Sequence, residues 1–216
     1  MTRATADRME KKGVSYPGED VRETFLSADL LHISNEIPFN PDCPTPDPYT
    51  ESLRMCSDPK YVQLLEEIGT DIVELTGNHF QDFGSEATLF TLDMYNARGW
   101  VYFGGGRTQD DAKKPTLVIH NGNKLAFMGC NPAGPDFAWA MESRPGAAWC
   151  DYGYMVSELT RLRAEGFLPI VTFQHYESYH LDPVVEQVGD FRTMAEAGAL
   201  IVSGSQSHVP QYMEFY

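Results

Sequence analysis

The sequence predicts an α/β fold built on a mostly parallel sheet. Short apolar runs rich in Val, Ile and Phe alternate with longer stretches of helical period. Gly69, Gly99, Gly166 and Gly198 close helical stretches, as left-handed stops do. Polar clusters follow the apolar runs at their C-terminal ends, where open α/β sheets hold ligands.

Taken in order, Glu19–Ser27 has helical period and leads into an apolar run, Asp29–Ser34, read as the first strand. The stretch that follows carries Pro38, Pro41, Pro44, Pro46, Pro48 and Pro59, each lacking a backbone donor, so it is an ordered insertion loop. Asp58–Ile68 is a helix and Asp71–Leu75 a strand; Glu86–Arg98 is a helix and Val101–Phe103 a strand. Gly104-Gly105-Gly106 reads as a turn, because it has neither the Lys-Ser/Thr of a P-loop nor dinucleotide-fingerprint spacing. Thr116–His120 and Lys124–Gly129 form a hairpin through His120-Asn121-Gly122-Asn123, since Asn-Gly accepts the positive φ of a tight turn. Asn131–Asp151 is a second long loop, with Phe137, Trp139 and Trp149 among Gly and Pro. Tyr152–Glu165 and Val184–Ala197 are helices preceding the strands Leu168–Gln174 and Leu200–Ser203. There is no repeat or linker, and the 216 residues suit a single domain, 1–216.

Composition narrows the function classes. With 42% hydrophobic and 22% charged residues the chain can bury a real core. Sixteen Lys+Arg against 31 Asp+Glu leave a net charge of −15, which excludes nucleic acid as a regular partner and requires a cation between this chain and any acidic one. No run approaches the ~20 apolar residues of a bilayer span. Met1 to Lys12 has no apolar core of a signal peptide. Cys43 with Cys56 and Cys130 with Cys150 lack C-x-x-C spacing; they are either loop disulfides, which imply an oxidising compartment, or four ordinary thiols.

Four strand ends carry the chemistry. The first ends in Asn35-Glu36, and the second in Thr76-Gly77-Asn78-His79 with Asp82 and Gly84 after it. The strand from Leu168 ends in His175-Tyr176-Glu177, and the last in Gly204-Ser205-Gln206-Ser207-His208. Each histidine taken singly is an ordinary hydrogen-bonded loop residue; the joint pattern is what points to a site. Imidazole, carboxylate and amide oxygens together suit Mn, Fe or Zn. His32, His120 and His180 have no such setting and are read as structural, and no Gly-x-Ser-x-Gly elbow supports an esterase.

These residues resemble the capsule synthesis CapA proteins, the poly-γ-glutamate branch of the calcineurin-like metallophosphoesterase superfamily. The match runs through Ala28-Asp29-Leu30 to Asn35-Glu36, Leu75-Thr76-Gly77-Asn78-His79 with Asp82 and Gly84, and Tyr102-Phe103-Gly104-Gly105-Gly106. It continues in Ala112-Lys113-Lys114-Pro115, in His175 with Glu177, and in His208-Val209-Pro210-Gln211. The resemblance implies a four-layer α/β/β/α sandwich of the metallo-dependent phosphatase type, incomplete at both ends. By the resemblance, Met1-Thr2-Arg3 looks like the tail of the family's first strand motif, whose Gly-Asp-type residues and metal-binding Asp would lie just before it, and the family continues beyond Tyr216. It also implies a binuclear centre of divalent Mn, Fe or Zn, with Glu36 bridging, Asn78 and His175 on one metal, and His208 on the other. Gln206 stands where the superfamily usually has a histidine and offers a weaker carbonyl donor. His79, oriented by Asp82, is the implied acid at a leaving oxygen, and Asn35 and Glu177 are candidate substrate contacts. The implied activity is hydrolysis of a phosphoester or an amide-linked anionic polymer; the alternative is a non-catalytic capsule assembly or polymer-binding role. Capsule synthesis machinery at the membrane is an implied partner, and the implied setting is extracytoplasmic, membrane-associated or secreted.

Overall fold

The computed structural model describes residues 1–216. Two sheets face each other with helices outside both, a four-layer α/β/β/α sandwich. The first sheet is parallel, in the order β1 (Leu31–Ser34), β2 (Thr70–Glu74), β3 (Val101–Phe103). A two-residue strand β4 (Gly105–Gly106) pairs antiparallel with β7 (Gly146–Ala147). The second sheet runs β5 (Thr116–His120), β6 (Asn123–Cys130), β8 (Leu168–Ser178), β9 (Ile201–Ser207). Only β5 with β6 is antiparallel there, and Asn121 takes φ 49 in the turn between them, as the Asn-Gly signal predicts.

The first helical layer contains α1 (Arg3–Lys12), α3 (Val62–Glu67) and α4 (Gly84–Asn96). Ala6 and Met9 of α1 and Leu64 and Leu65 of α3 pack with Leu92 and Tyr95 of α4 onto Val73 of β2. A short α2 (Arg22–Leu26) leads into β1, and α5 (Gln109–Ala112) leads into β5. On the other side α6 (Tyr152–Ala164) and α7 (Val185–Glu196) cover β6 and β8 through Leu159, Leu162, Met194, Met128, Val171 and Phe173. Between the sheets Ile72, Phe103 and Phe127 form a small third core, beside a cavity of about 360 Å³ lined by Leu30, His32, Leu125 and Ile170 among others.

Several boundaries differ from the sequence reading. Met1 to Arg3 reads in the sequence as the end of a strand motif, yet Arg3 starts α1, whose Ala6 and Met9 are buried one turn apart. Expected helix Glu19–Ser27 contracts to α2, preceded by a 3₁₀ turn at Tyr16–Gly18, and Asp58–Ile68 splits at Pro59–Tyr61 before α3. The glycine triplet is a strand and not only a turn, because Gly105 and Gly106 pair with Ala147 and Gly146. β8 and β9 each run longer than expected, since their pairing continues to Ser178 with Ser207. Both cysteine pairs are disulfides, Cys43–Cys56 and Cys130–Cys150. No helix is long and apolar enough to cross a membrane.

Candidate functional site

Gly77 sets the geometry of the rim. A Cβ there would stand 2.5 Å from Glu36 Cα, so only glycine lets the turn after β2 press against the turn after β1. That approach brings Glu36 and Asn78 side by side. Gln206, near the end of β9, reaches the same spot with φ 78, a left-handed backbone that side chains rarely adopt and that concentrates at functional sites.

The group at the centre is Gln174, on β8. Its Nε2 donates toward Glu36 Oε1 at 3.0 Å, Asn78 Oδ1 at 3.0 Å and Gln206 Oε1 at 2.7 Å. Ser205 Oγ donates to its carbonyl oxygen, which orients the amide. The sequence reading missed this residue. The available signal was strand parity: Ile170, Thr172 and Gln174 alternate toward the facing sheet, whereas Val171, Phe173 and His175 face the helices.

His79 stands beside this group. Its Nδ1 lies 2.7 Å from Asp82 Oδ2, and Asp82 also accepts the Met55 amide at 2.7 Å. Burial works against charge on His79, but the Asp82 hydrogen bond and charge, with the charge of Glu36, outweigh it and hold its pKa above the ordinary imidazole value; Arg3 opposes them weakly. Arg54 donates to the Asp82 carbonyl at 2.9 Å and lies over the Phe83 ring at 4.9 Å. Arg3 and Arg54 are thus charged neighbours of the dyad that the sequence reading did not single out.

The other expected residues divide. His208 Nε2 lies 2.9 Å from Glu177 Oε1, and its ring stacks on Tyr179 at 4.5 Å with planes 6° apart. Tyr179 Oη donates to the same Glu177 oxygen at 2.7 Å, and that hydrogen bond, ahead of the charges of His208 and His79, lowers the Glu177 pKa. Asn35 turns into its own loop, donating to the Ile37 carbonyl at 2.8 Å. His175 does not join the rim: it is 1% exposed, with Nε2 2.9 Å from Asp190 Oδ2 on α7, and Asp190 also accepts Tyr152 Oη at 2.7 Å.

As a donor set for two Mn, Fe or Zn ions this arrangement does not fit. The converging oxygens are one carboxylate and two amide carbonyls gathered on an amide nitrogen, and no three His, Cys, Asp or Glu side chains converge to hold an ion. What the rim presents is an imidazole whose pKa is raised, a carboxylate beside it, and cationic side chains at its border.

Residues 1–216 match the family described as bacterial capsule synthesis protein PGA_cap. The chain is 24% identical over 170 residues to the capsule biosynthesis protein CapA of Bacillus anthracis, covering 77% of this chain and 41% of that protein. It is 23% identical over 211 residues to the PGA biosynthesis protein CapA of Bacillus subtilis (strain 168), covering 96% and 54%. The chain therefore spans about half the length of the curated relatives it matches. A crystal structure of a hypothetical protein from Thermus thermophilus superposes with a TM-score of 0.51 at 18% identity, over 92% of this chain and 64% of that one, a likeness of fold.

Proposed function

From the premise that the chain belongs to the bacterial capsule synthesis family PGA_cap, we propose that it hydrolyses an amide-linked, carboxylate-bearing polymer of the poly-γ-glutamate class. The observation that carries this is the His79–Asp82 dyad at 2.7 Å beside Glu36, at the C-terminal ends of β1 and β2. Water adds to the amide carbonyl carbon as the Glu36 carboxylate takes its proton. The C–N bond then breaks as His79 passes its proton to the leaving nitrogen, and both side chains re-equilibrate with solvent. Asp82 orients the ring and stabilises the imidazolium.

Arg3, Arg54 and His79 gather positive charge at one rim of a chain whose net charge is −15, which supports local capture of carboxylates. The two disulfides support an extracytoplasmic setting, secreted or membrane-associated, next to the capsule synthesis machinery. The residues present do not fit a binuclear centre, and the steps above use only side chains of this chain and water.

The test is size-exclusion chromatography of poly-γ-glutamate after incubation with the protein in EDTA. Wild type shortens the polymer, and His79→Gln and Glu36→Gln each slow cleavage about 10²-fold or more, the scale of general acid–base catalysis. Polymer retained uncut by wild type would instead favour the assembly or polymer-binding role. Mn-dependent cleavage of an aryl phosphodiester would favour a metal phosphoesterase.

A further inference from the structure

One amide nitrogen stands among three oxygen acceptors on three different segments. Gln174 is 2% exposed, and its Nε2 is 2.7–3.0 Å from side-chain oxygens of Glu36, Asn78 and Gln206. We propose that Gln174 takes the place of a cation in this rim: its two N–H groups, and not a metal ion, draw Glu36, Asn78 and Gln206 together. Gln174 is then the positioning residue that holds Glu36 beside His79. This last part rests on the proposed function; the metal-free closure does not.

Orientation supports the assignment. Ser205 Oγ donates to the Gln174 carbonyl, and with Asn78 and Gln206 presenting their carbonyl oxygens, turning the Gln174 amide over would set its oxygen against theirs and against the Glu36 carboxylate. Charge supports it too. A divalent ion held there would meet a single formal negative charge, that of Glu36, where oxygen-ligated sites ordinarily collect several carboxylates. The remaining carboxylates of the region have partners already: Asp82 serves His79 and the Met55 amide, Glu177 serves Tyr179 and His208, and Asp190 serves His175 and Tyr152.

Two protons serve three oxygens, so one bond is shared. The arrangement is that of a small cation cage with a neutral donor at its centre, and changing that donor to an acceptor should convert it. In Gln174→Glu the N–H groups disappear and a second carboxylate faces Glu36. That variant is expected to be less stable than wild type in EDTA and to recover on addition of Mn²⁺.

The experiment is equilibrium dialysis against Mn²⁺, with Mn²⁺ electron paramagnetic resonance and thermal melting, on wild type and Gln174→Glu. Wild type takes up no stoichiometric Mn²⁺ and its Tm is unmoved; the variant binds Mn²⁺ about tenfold or more tighter than wild type and its Tm rises with the metal. One or two Mn²⁺ bound per wild-type chain overturns the proposal. So does a folded variant that takes up no more Mn²⁺ than wild type. The wild-type measurement decides even where the variant does not fold. Wild type that binds no metal and cuts no polymer removes the hydrolase reading and leaves this inference standing; wild type that binds metal and still cuts polymer in EDTA does the reverse.

Discussion

Gln174 and His175 are chain neighbours that serve opposite faces of β8. Gln174 Nε2 sits 2.7 Å from Gln206 Oε1 at the rim, and His175 Nε2 sits 2.9 Å from Asp190 Oδ2 beneath α7. A strand sends successive side chains to opposite sides, so one of the pair can work at the site while the other ties the sheet to its helix.

His175→Ala should therefore act on stability. It removes a buried hydrogen bond to an acidic partner, whose loss costs roughly 1.5–3 kcal/mol, and lowers the denaturant midpoint accordingly. Asp190→Ala should give a similar loss, and the double variant less than the sum, because both remove one interaction. Polymer cleavage per folded molecule should stay near wild type. Unchanged stability with lost cleavage would put His175 in the site after all.

The dyad should titrate visibly. The His79 pKa is raised in the folded state, so its contribution to stability is fully present below the ordinary imidazole value of 6.5 and is lost as pH rises through the folded value. Asp82→Asn removes the charge that opposes the burial of His79 and leaves at most a weaker, neutral hydrogen bond, and should move its titration to lower pH in a ring-proton NMR experiment. A titration that stays put would mean that Asp82 only packs beside the ring. Cleavage that depends on a protonated His79 should fall over the same pH window.

Neighbouring positions on α4 should differ in the same way that β8 does. Leu92 is 0% exposed in the core of the first sheet, and Leu92→Ala should cost about 2–5 kcal/mol in urea denaturation. Phe90 is 36% exposed, so Phe90→Ala should cost well under that. Equal losses would contradict the helix register.

Much of this was legible beforehand. Hydrophobic period and glycine stops located the strands and the long helices, and the Asn121-Gly122 turn announced the one antiparallel pairing of the large sheet. The pairing of His79 with Asp82 was implied by the family resemblance, and the structure brings the two side chains together within one turn. Helix α1 was not readable as such: its buried positions, Ala6 and Met9, matter only because α3 and α4 lie against them.

By itself the sequence determined the α/β class, the family, and which strand ends carry polar groups, all of which follow from local period and short motifs. The tertiary structure decided which of those groups meet. Gln174, Glu36, Asn78 and Gln206 come from four segments, with Glu36 and Gln174 138 positions apart along the chain, and the close approach at Gly77 and the register of β8 with β9 set their distances. One residue of strand parity separates Gln174 from His175. Where the strand stops pairing depends on its partner strand, so which of the two faces the site is a property of the packed sheets.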